Sequence, residues 1–527
     1  MITSSGSTSS VDATIESAHW DAIIVGTGVG GATVGRSLAL EGLSVLFVEK
    51  GTEVTGSGMP SDSLSPGERI AHGWWPHPVS RRLSDGRYQR FFAAVGSALG
   101  GSSIHYAAAL ERMDASDFEV IKTTAGTTMP WPVGYSDFVP FYQAAEALYG
   151  IDAASVEMTW QRMSDWDRAL MEQMRLNGLR PQPLPVAMRY DEQCMECIGR
   201  VCPRRCKRDA RVVCLEEALK QPRCRILDRC DVETLEADDK RVLAVRARRE
   251  GRELTLRGRV IVLAAGAFHS PHILLRSRND RWPNGLANHS DQVGRNLMFH
   301  TADVMALWAP RRLNRRGRQL KSISVRDFYN RDGDRLGYVQ SMGLEAGRGV
   351  IAGYLKDELR RRRISNEILL SLLVKVPSHI AAWLFGSAGI FAAMSEDYPH
   401  PENRIVLDAN EADGASFTYT ITDDLRRRAD KLYAEFARHV RPWRIMRISP
   451  QLPMNYGHPC GTCRFGDDSS ISVLDRDCRA HDLENLYVVD ASFMPRSGAV
   501  NPSLTIAANA LRVAPRIAAR LSTLAQS

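Results

Sequence analysis

A glycine-rich turn between two short apolar runs is the feature that most constrains the fold. The run DAIIV at residues 21–25 is followed by GTGVGG at 26–31, a segment with helical spacing, and a second apolar run, VLFV, that ends just before an acid. This order predicts a βαβ unit whose small residues let the backbone approach a pyrophosphate at the helix N-terminus. The acid, about 20 residues after the glycines, would accept hydrogen bonds from ribose hydroxyls. The predicted dinucleotide site consists of Gly26, Gly28, Gly31 and Glu49.

The glycine turn does not by itself distinguish NAD from FAD. Glu49, where an arginine would accommodate a 2′-phosphate, argues against NADP. The net charge of +7 is spread over 527 residues, too thinly to favour nucleic acid. Basic clusters at 311–318 and 360–363 lack interleaved aromatic residues, so we interpret them as solvated surface and expect no nucleic-acid partner.

The N-terminal segment and the cysteines indicate the compartment. The first twenty residues contain neither a basic region nor an apolar core, so they do not resemble a secretory signal. We expect a disordered leader over residues 1–17. Ten cysteines without such a signal indicate reduced thiols or metal ligands, and hence a cytoplasmic protein. The uncharged stretch at 376–395 predicts a buried or lid helix, with membrane contact as the less favoured alternative.

Four further segments complete an ordered set of motifs. The sequence LGGSSIHY covers residues 99–106, and VIVLAAGAFHSPHILLRS covers 260–277. Near the C-terminus, GHPCGTC at 457–463 precedes NLYVVDASFMPRSGAVNPSLTIAANALRVA, which starts at 485. Together with the glycine turn, these motifs resemble the FAD-dependent glucose–methanol–choline (GMC) oxidoreductases. Within that family the chain is most similar to bacterial sugar and polyol dehydrogenase flavoproteins and, more distantly, to pyranose oxidases.

The resemblance implies a fold of mixed α/β class. We expect a Rossmann-like FAD-binding domain of the p-hydroxybenzoate-hydroxylase type and a substrate-binding domain built on an antiparallel sheet. The FAD-binding domain would be discontinuous, over 18–120, 185–300 and 455–527, and the substrate-binding domain would take 121–184 and 301–454.

The resemblance also assigns residues around the flavin. The glycine–serine run and the histidine that follows it would lie against the isoalloxazine ring: Gly100, Gly101, Ser102, Ser103 and His105. Pyranose oxidases attach FAD covalently through the matching histidine, so His105 either carries such a bond or packs beside the flavin. Asp490 matches an acid near the phosphate–ribitol linkage, and Val232 matches a main-chain contact to adenine.

Alcohol oxidation requires a base that titrates near neutrality and can reach the hydroxyl. The resemblance places His458 at the catalytic histidine of the family and Asn501 at a second position that is histidine in some members. An asparagine there would hold the substrate oxygen while hydride passes to flavin N5. Asn501 and Pro502 also suit the start of a helix, whose N-terminus would stabilise negative charge on the reduced flavin.

Four cysteines within thirteen residues form a separate candidate site: Cys194, Cys197, Cys202 and Cys206. Their density suits zinc or an iron–sulfur cluster, and sugar dehydrogenase relatives carry such a cluster on cysteines in this part of the chain. The spacing departs from that pattern, so a labile disulfide and inert thiols remain open.

The leading hypothesis is FAD-dependent oxidation of a hydroxyl of a sugar, glycoside or polyol, with O2 or another redox acceptor. Two alternatives remain open. The first is an oxidase of an apolar alcohol such as a sterol, suggested by the stretch at 376–395. The second is a flavin-binding partner protein without turnover, which the presence of His458 and Asn501 disfavours. We expect no membrane association.

Overall fold

The structure is a computed structural model of the 527-residue chain. It describes residues 8–54, 64–83, 86–123, 126–194, 196–310, 321–331, 334–343, 366–407, 416–448 and 452–524, with the single positions 352, 355, 356 and 359. The basic clusters expected to form solvated surface lie outside the described residues, at 311–318 and 360–363.

A seven-stranded sheet forms the first layer. Its strands are β1 (His19–Val25), β2 (Val45–Val48), β8 (Cys224–Leu227), β9 (Cys230–Ala237), β10 (Val242–Arg249), β11 (Arg252–Leu263) and β21 (Leu486–Val488). The order is β8-β2-β1-β11-β10-β9, and β21 pairs with β11. Strands β8, β2, β1, β11 and β21 are parallel to one another, whereas β10 runs antiparallel to both of its neighbours, β11 and β9. The apolar runs that predicted buried parallel strands therefore lie at its centre, as the Rossmann-like expectation requires.

The predicted βαβ unit is present. The helix Val29–Leu40 begins directly after Gly28 and connects β1 to β2. The helix Ser503–Leu524 packs against it, so the far C-terminal segment covers the same side of the sheet as the glycine turn.

The N-terminal leader differs from its prediction. Residues Thr8–Ser17, expected to lack order, form a helix. Ile15 is buried in the core, and Asp12 and Glu16 make ion pairs with Arg249 and Arg252 of the β10–β11 hairpin. Tertiary contacts of this kind stabilise a segment whose composition alone would leave it disordered.

A six-stranded antiparallel sheet forms the second layer, as expected. Its order is β19-β13-β16-β15-β14-β7. The strands are β7 (Gln182–Pro183), β13 (Asp303–Trp308), β14 (Ile323–Val325), β15 (Tyr338–Ser341), β16 (Gly389–Met394) and β19 (Arg444–Arg447). Apolar side chains of the helices Asp165–Leu176 and Asp423–His439 share a buried cluster with this sheet.

Three smaller sheets complete the strands that the structure describes. A four-stranded sheet has the order β17-β18-β3-β4, with β3 (Val79–Arg82), β4 (Tyr88–Phe91), β17 (Arg404–Val406) and β18 (Ser416–Thr418). It joins segments that the proposed domain division assigns to different domains. Two pairs complete the strands: β12 (Met298–Thr301) with β20 (Met454–Cys460), and β5 (Lys122–Thr123) with β6 (Gly126–Thr127).

Further helices lie between the sheets and in the connecting segments. The α-helices are Pro66–Ala71, Tyr135–Tyr149, Ala153–Arg162, Glu216–Leu219 and His269–Arg276, with a π-helical turn at Arg211–Leu215. Short 3-10 helices occur at Gly101–Ile104, Ala115–Phe118 and Ala491–Phe493.

The stretch at 376–395 also differs from its prediction. It divides between the helix Glu367–Phe385 and the buried strand β16. The helix is exposed rather than buried: Leu370, Val374 and Ser378 form its one buried stripe, while Trp383 is 81% exposed. By length and composition Ile368–Phe385 could cross a membrane, and only 17% of that window is buried in the protein.

Candidate active site

A cavity of about 450 Å³ lies where the glycine turn meets several other segments of the chain. It is lined by the ends of β1 and β2, the 101–106 turn, residues of β9, the 264–273 segment, β20 and the start of the helix Ser503–Leu524. This is the carboxyl edge of the parallel strands, where open α/β sheets bind ligands.

The backbone of the glycine turn is open to this cavity. A Cβ on Gly28 would meet no atom within 4 Å, whereas one on Gly101 would lie 2.8 Å from Gly28 Cα. Gly26 has a φ of +98°, and a Cβ there would lie 2.4 Å from the carbonyl oxygen of Ala264. Backbone amides can therefore approach a ligand closely at Gly28, as a pyrophosphate requires. The backbone of residues 26–31 therefore forms a glycine cradle, which fits the dinucleotide that the sequence implies.

Glu49 lies at the end of β2 and lines the cavity. Its Oε2 accepts hydrogen bonds from the amide of Thr27 (2.9 Å) and the Thr27 hydroxyl (2.7 Å), and its Oε1 accepts one from the amide of Gly51 (2.9 Å). Burial raises the pKa of this carboxyl, although these hydrogen bonds oppose the shift. A carboxylate has about four acceptor positions, so one remains for a ribose hydroxyl.

His105 lines the cavity beside an aromatic side chain. Its ring stacks on Trp74 with centroids 3.6 Å apart, and its Nε2 lies 3.3 Å from the carbonyl oxygen of Gly73. Burial, reinforced by Lys207, lowers the pKa of His105 to about 3, so the imidazole is neutral. Among the preceding residues, Gly101, Ser102 and Ser103 line the cavity.

Gly31 and Gly100 support the turn instead of lining the cavity. A Cβ on Gly31 would lie 2.1 Å from the carbonyl oxygen of Gly26, and the amide of Gly100 donates to the Thr27 hydroxyl at 3.1 Å. Both residues therefore support the backbone of the glycine turn on the side away from the cavity.

Asp490 and Val232 lie at other parts of the same cavity. The Oδ1 of Asp490 accepts a hydrogen bond from the amide of Ser492, and its Oδ2 accepts one from the amide of Gly266, each at 2.9 Å. Burial raises the pKa of Asp490 while these bonds oppose the shift. The carboxylate thus fixes the loop on which it stands.

His458, on β20, also lines the cavity. Its Nδ1 lies 3.2 Å from the Nδ1 of His300. Its Nε2 has no hydrogen-bonding partner among the side chains and backbone that the structure describes. Burial is the main cause that lowers the pKa of His458 well below its usual value, and the electrostatic influence of the neighbouring His300 and Lys321 acts in the same direction. A neutral imidazole with one free ring nitrogen therefore faces the space beside the cradle.

Asn501 lies directly before two residues that line the cavity, Pro502 and Ser503. Its Nδ2 donates to Gln340 Oε1 at 3.3 Å, which fixes the side-chain amide against β15 of the antiparallel sheet. The helix Ser503–Leu524 starts at this point, so its positive end is directed at the cavity wall.

The four clustered cysteines do not support a metal centre. They lie together as free thiols, but no three His, Cys, Asp or Glu side chains converge as ligands in the part of the chain that the structure describes. Burial raises the pKa of the Cys197 thiol to about 11 and that of Cys206 to about 12, whereas at Cys202 burial is outweighed by backbone hydrogen bonds and the pKa is lowered. Four thiols within thirteen residues are dense enough for a cluster, but in the described part of the chain the side chains are not arranged as its ligands.

The sequence analysis missed several residues at the site. His300, Gln340 and Lys321 come from three strands or loops of the second half of the chain, and no local motif marks them. Trp75 and His269 also line the cavity and were missed; their rings stack with centroids 3.7 Å apart. None of the residues at 376–395 lines it, so the apolar stretch does not extend the site.

Comparison with known families gives two matches. A family model described as GMC oxidoreductase, for the N-terminal part, matches residues 1–302, and a second, for the C-terminal part, matches residues 426–510. The first spans the glycine turn and His300, and the second spans His458, Asp490 and Asn501.

Individual relatives cover nearly the whole chain. It is 28% identical to 6‴-hydroxyparomomycin C oxidase of Streptomyces lividus, covering 95% of this chain and 92% of the relative. It is 26% identical to the fructose dehydrogenase large subunit of Gluconobacter japonicus, covering 94% and 97%. A crystallised formate oxidase of Aspergillus oryzae, studied for FAD modification, superposes with a TM-score of 0.67 at 14% identity and covers 97% of this chain and 100% of that one. At 14% identity this structural similarity shows the fold alone.

Proposed function

Because the chain belongs to the GMC oxidoreductase family and is an oxidoreductase acting on CH–OH donors, we propose that it oxidises a hydroxyl of a sugar, glycoside or polyol to the carbonyl with FAD. The observation that carries the proposal is that the cavity brings the glycine cradle and the free Nε2 of His458 together. The sugar-directed names of two relatives support the substrate class.

FAD, when bound, supplies the acceptor for the hydride that leaves the substrate carbon. The glycine cradle with Glu49 would hold its pyrophosphate and ribose, and the 101–106 turn with His105 would hold its ring system. The N-terminus of the helix Ser503–Leu524 would stabilise negative charge that develops nearby.

The protein residues carry out the proton chemistry. In the proposed reaction the hydroxyl O–H bond breaks and its proton passes to His458 Nε2, while the substrate C–H bond breaks and its electron pair leaves with the hydride. The carbon–oxygen bond becomes a carbonyl. The Asn501 amide, held by Gln340, would keep the substrate oxygen in place.

The pH dependence of flavin reduction should follow from the lowered pKa of His458. The base must be neutral to accept the proton, so the rate should be lost only when pH falls below its depressed pKa. We expect the rate to stay level through pH 6.5 and to fall only in more acidic buffer. Stopped-flow reduction over pH 4.5–8 measures this, and a rate already halved at pH 6.5 would contradict it.

The experiment that tests the proposed function is an absorbance spectrum of the purified protein before and after anaerobic addition of sugars, polyols and apolar alcohols. Bleaching of flavin bands by a sugar or polyol supports the proposal. Bleaching by apolar alcohols alone favours the other substrate class, and no bleaching with any alcohol favours the partner-protein hypothesis. Absence of flavin would overturn the cofactor assignment.

Three further properties belong to the same proposal. We propose that FAD is held without a covalent bond at His105, because that ring is already fixed by Trp74 and Gly73; acid precipitation should then release the flavin. Electrons would pass from the reduced flavin to O2 or to another redox acceptor. Reoxidation of the reduced flavin in air would indicate O2, and its absence would indicate another acceptor. All ten cysteines are free thiols, which supports the proposed cytoplasmic location.

A further inference from the structure

His300 is a buried histidine next to the proposed base, and the proposed chemistry does not yet use it. It lies on β12, which pairs with the β20 strand that carries His458. The two rings meet almost at right angles, with an interplanar angle of 86° and Nδ1 atoms 3.2 Å apart. One of these two nitrogens must therefore carry the hydrogen and the other must accept it.

The other side of the His300 ring decides which nitrogen carries it. His300 Nε2 lies 3.1 Å from the carbonyl oxygen of Ser497, and a carbonyl can only accept. Nε2 of His300 therefore carries a hydrogen. The ring is fully buried, and burial lowers the pKa of His300 to about 4 despite the opposing charge of Glu396. A neutral imidazole with hydrogen on Nε2 has a lone pair on Nδ1.

The carbonyl that fixes His300 is itself rigidly placed. The Ser497 hydroxyl donates to the carbonyl oxygen of Asp397 at 2.9 Å. The hydroxyl oxygen also accepts a hydrogen bond from the Asp397 amide at 3.1 Å. The preceding Arg496 makes two hydrogen bonds to the buried Glu396, at 2.9 and 2.8 Å. These contacts hold the backbone around Ser497 in place. The Ser497 carbonyl in turn orients the His300 ring through its hydrogen bond with Nε2.

We infer that His300 is a positioning residue that holds His458 in the tautomer with hydrogen on Nδ1 and the lone pair on Nε2, directed at the substrate hydroxyl. His458 Nδ1–H donates to His300 Nδ1, and His300 Nε2–H donates to Ser497. When His458 takes the substrate proton on Nε2, it becomes an imidazolium whose Nδ1–H still donates to His300. The chain of acceptors therefore orients the base before the reaction and stabilises its charge afterwards. This inference rests on the proposed role of His458.

Two substitutions separate positioning from a structural role. An asparagine amide reaches about as far as imidazole Nδ1, and a glutamine amide about as far as Nε2. His300→Asn therefore keeps an acceptor for His458 and loses the bond to Ser497, whereas His300→Gln keeps the bond to Ser497 and loses the acceptor. We expect anaerobic flavin reduction to fall about 10- to 100-fold in His300→Gln and less than about 5-fold in His300→Asn, with FAD content and substrate KM retained in both.

A readout independent of turnover is the proton NMR spectrum of the protein. An N–H held between two buried imidazoles should give an exchange-protected downfield resonance. We expect that resonance in the wild type, expect it shifted but present in His300→Asn, and expect it absent in His300→Gln and His458→Ala. The two charged groups near the pair, Lys321 and Glu396, are unchanged in all variants.

The outcomes are distinguishable. Equal flavin-reduction rates in the two His300 variants, or loss confined to His300→Asn, would overturn the positioning role while leaving His458 as base. If His458→Ala itself reduced flavin normally, the proposed function of that residue would fail first. Thermal unfolding of both His300 variants identifies a folding defect.

Discussion

Replacing His458 with alanine should leave FAD bound and slow its anaerobic reduction by substrate by about 10²-fold or more. The imidazole is the one group we place at the hydroxyl proton, and alanine cannot accept that proton. The contacts proposed for the dinucleotide come from other segments, so the flavin spectrum before substrate should be unchanged. Stopped-flow absorbance with a saturating substrate measures the rate directly.

The control for this variant is His289→Ala. His289 is 62% exposed and pairs with Asp482 away from the cavity, so its loss should not alter flavin reduction. Unchanged reduction in His458→Ala would remove the base assignment. A variant that purifies without flavin would instead show that His458 supports the cavity.

Replacing Gly28 with valine should abolish retention of FAD during purification, with an affinity loss of about 10²-fold or more. Gly28 has φ −64° and ψ −173°, which valine adopts without strain, and a Cβ there meets no protein atom. The added methyl groups instead occupy space that the pyrophosphate needs, so the closest backbone–phosphate contacts are lost. The flavin-to-protein absorbance ratio and FAD titration of the apoprotein measure the change.

Gly67→Val is the matched control for Gly28→Val. A Cβ on Gly67 also meets no atom within 4 Å, but this residue lies in the helix Pro66–Ala71 and does not line the cavity. It should retain FAD. Unfolding temperatures of the two apoproteins should be similar, which separates ligand exclusion from misfolding. Normal FAD retention by Gly28→Val would contradict the placement of the pyrophosphate.

The parts of the fold that could be predicted from sequence are those with a local pattern. The glycine turn and its flanking apolar runs determined the βαβ unit because strand, turn and helix signals lie within thirty residues of one another. The family and the fold class are confirmed. The helix Thr8–Ser17 was not predictable, because its stability depends on Ile15 and on arginines of a hairpin more than 230 residues away.

The site shows the same division between local and distant information. Its cofactor-facing residues and His458 lie in recognisable runs, and their roles remain predictions that the variants above test. His300 and Gln340 lie in ordinary strand sequences and reach the site only through sheet pairing, which one sequence does not reveal. Conversely, the four cysteines are dense enough in the sequence to suit a cluster, but density in the sequence does not determine whether the side chains are arranged as metal ligands.

The central sheet draws its strands from three separate stretches of the chain, and this has a consequence for biosynthesis. Strand β21 and the helix Ser503–Leu524 complete the wall beside the glycine turn, although they are made almost 460 residues after it. A nascent chain that has emerged only as far as the antiparallel sheet holds an incomplete cradle. Cofactor capture must therefore follow, rather than guide, the folding of most of the polypeptide.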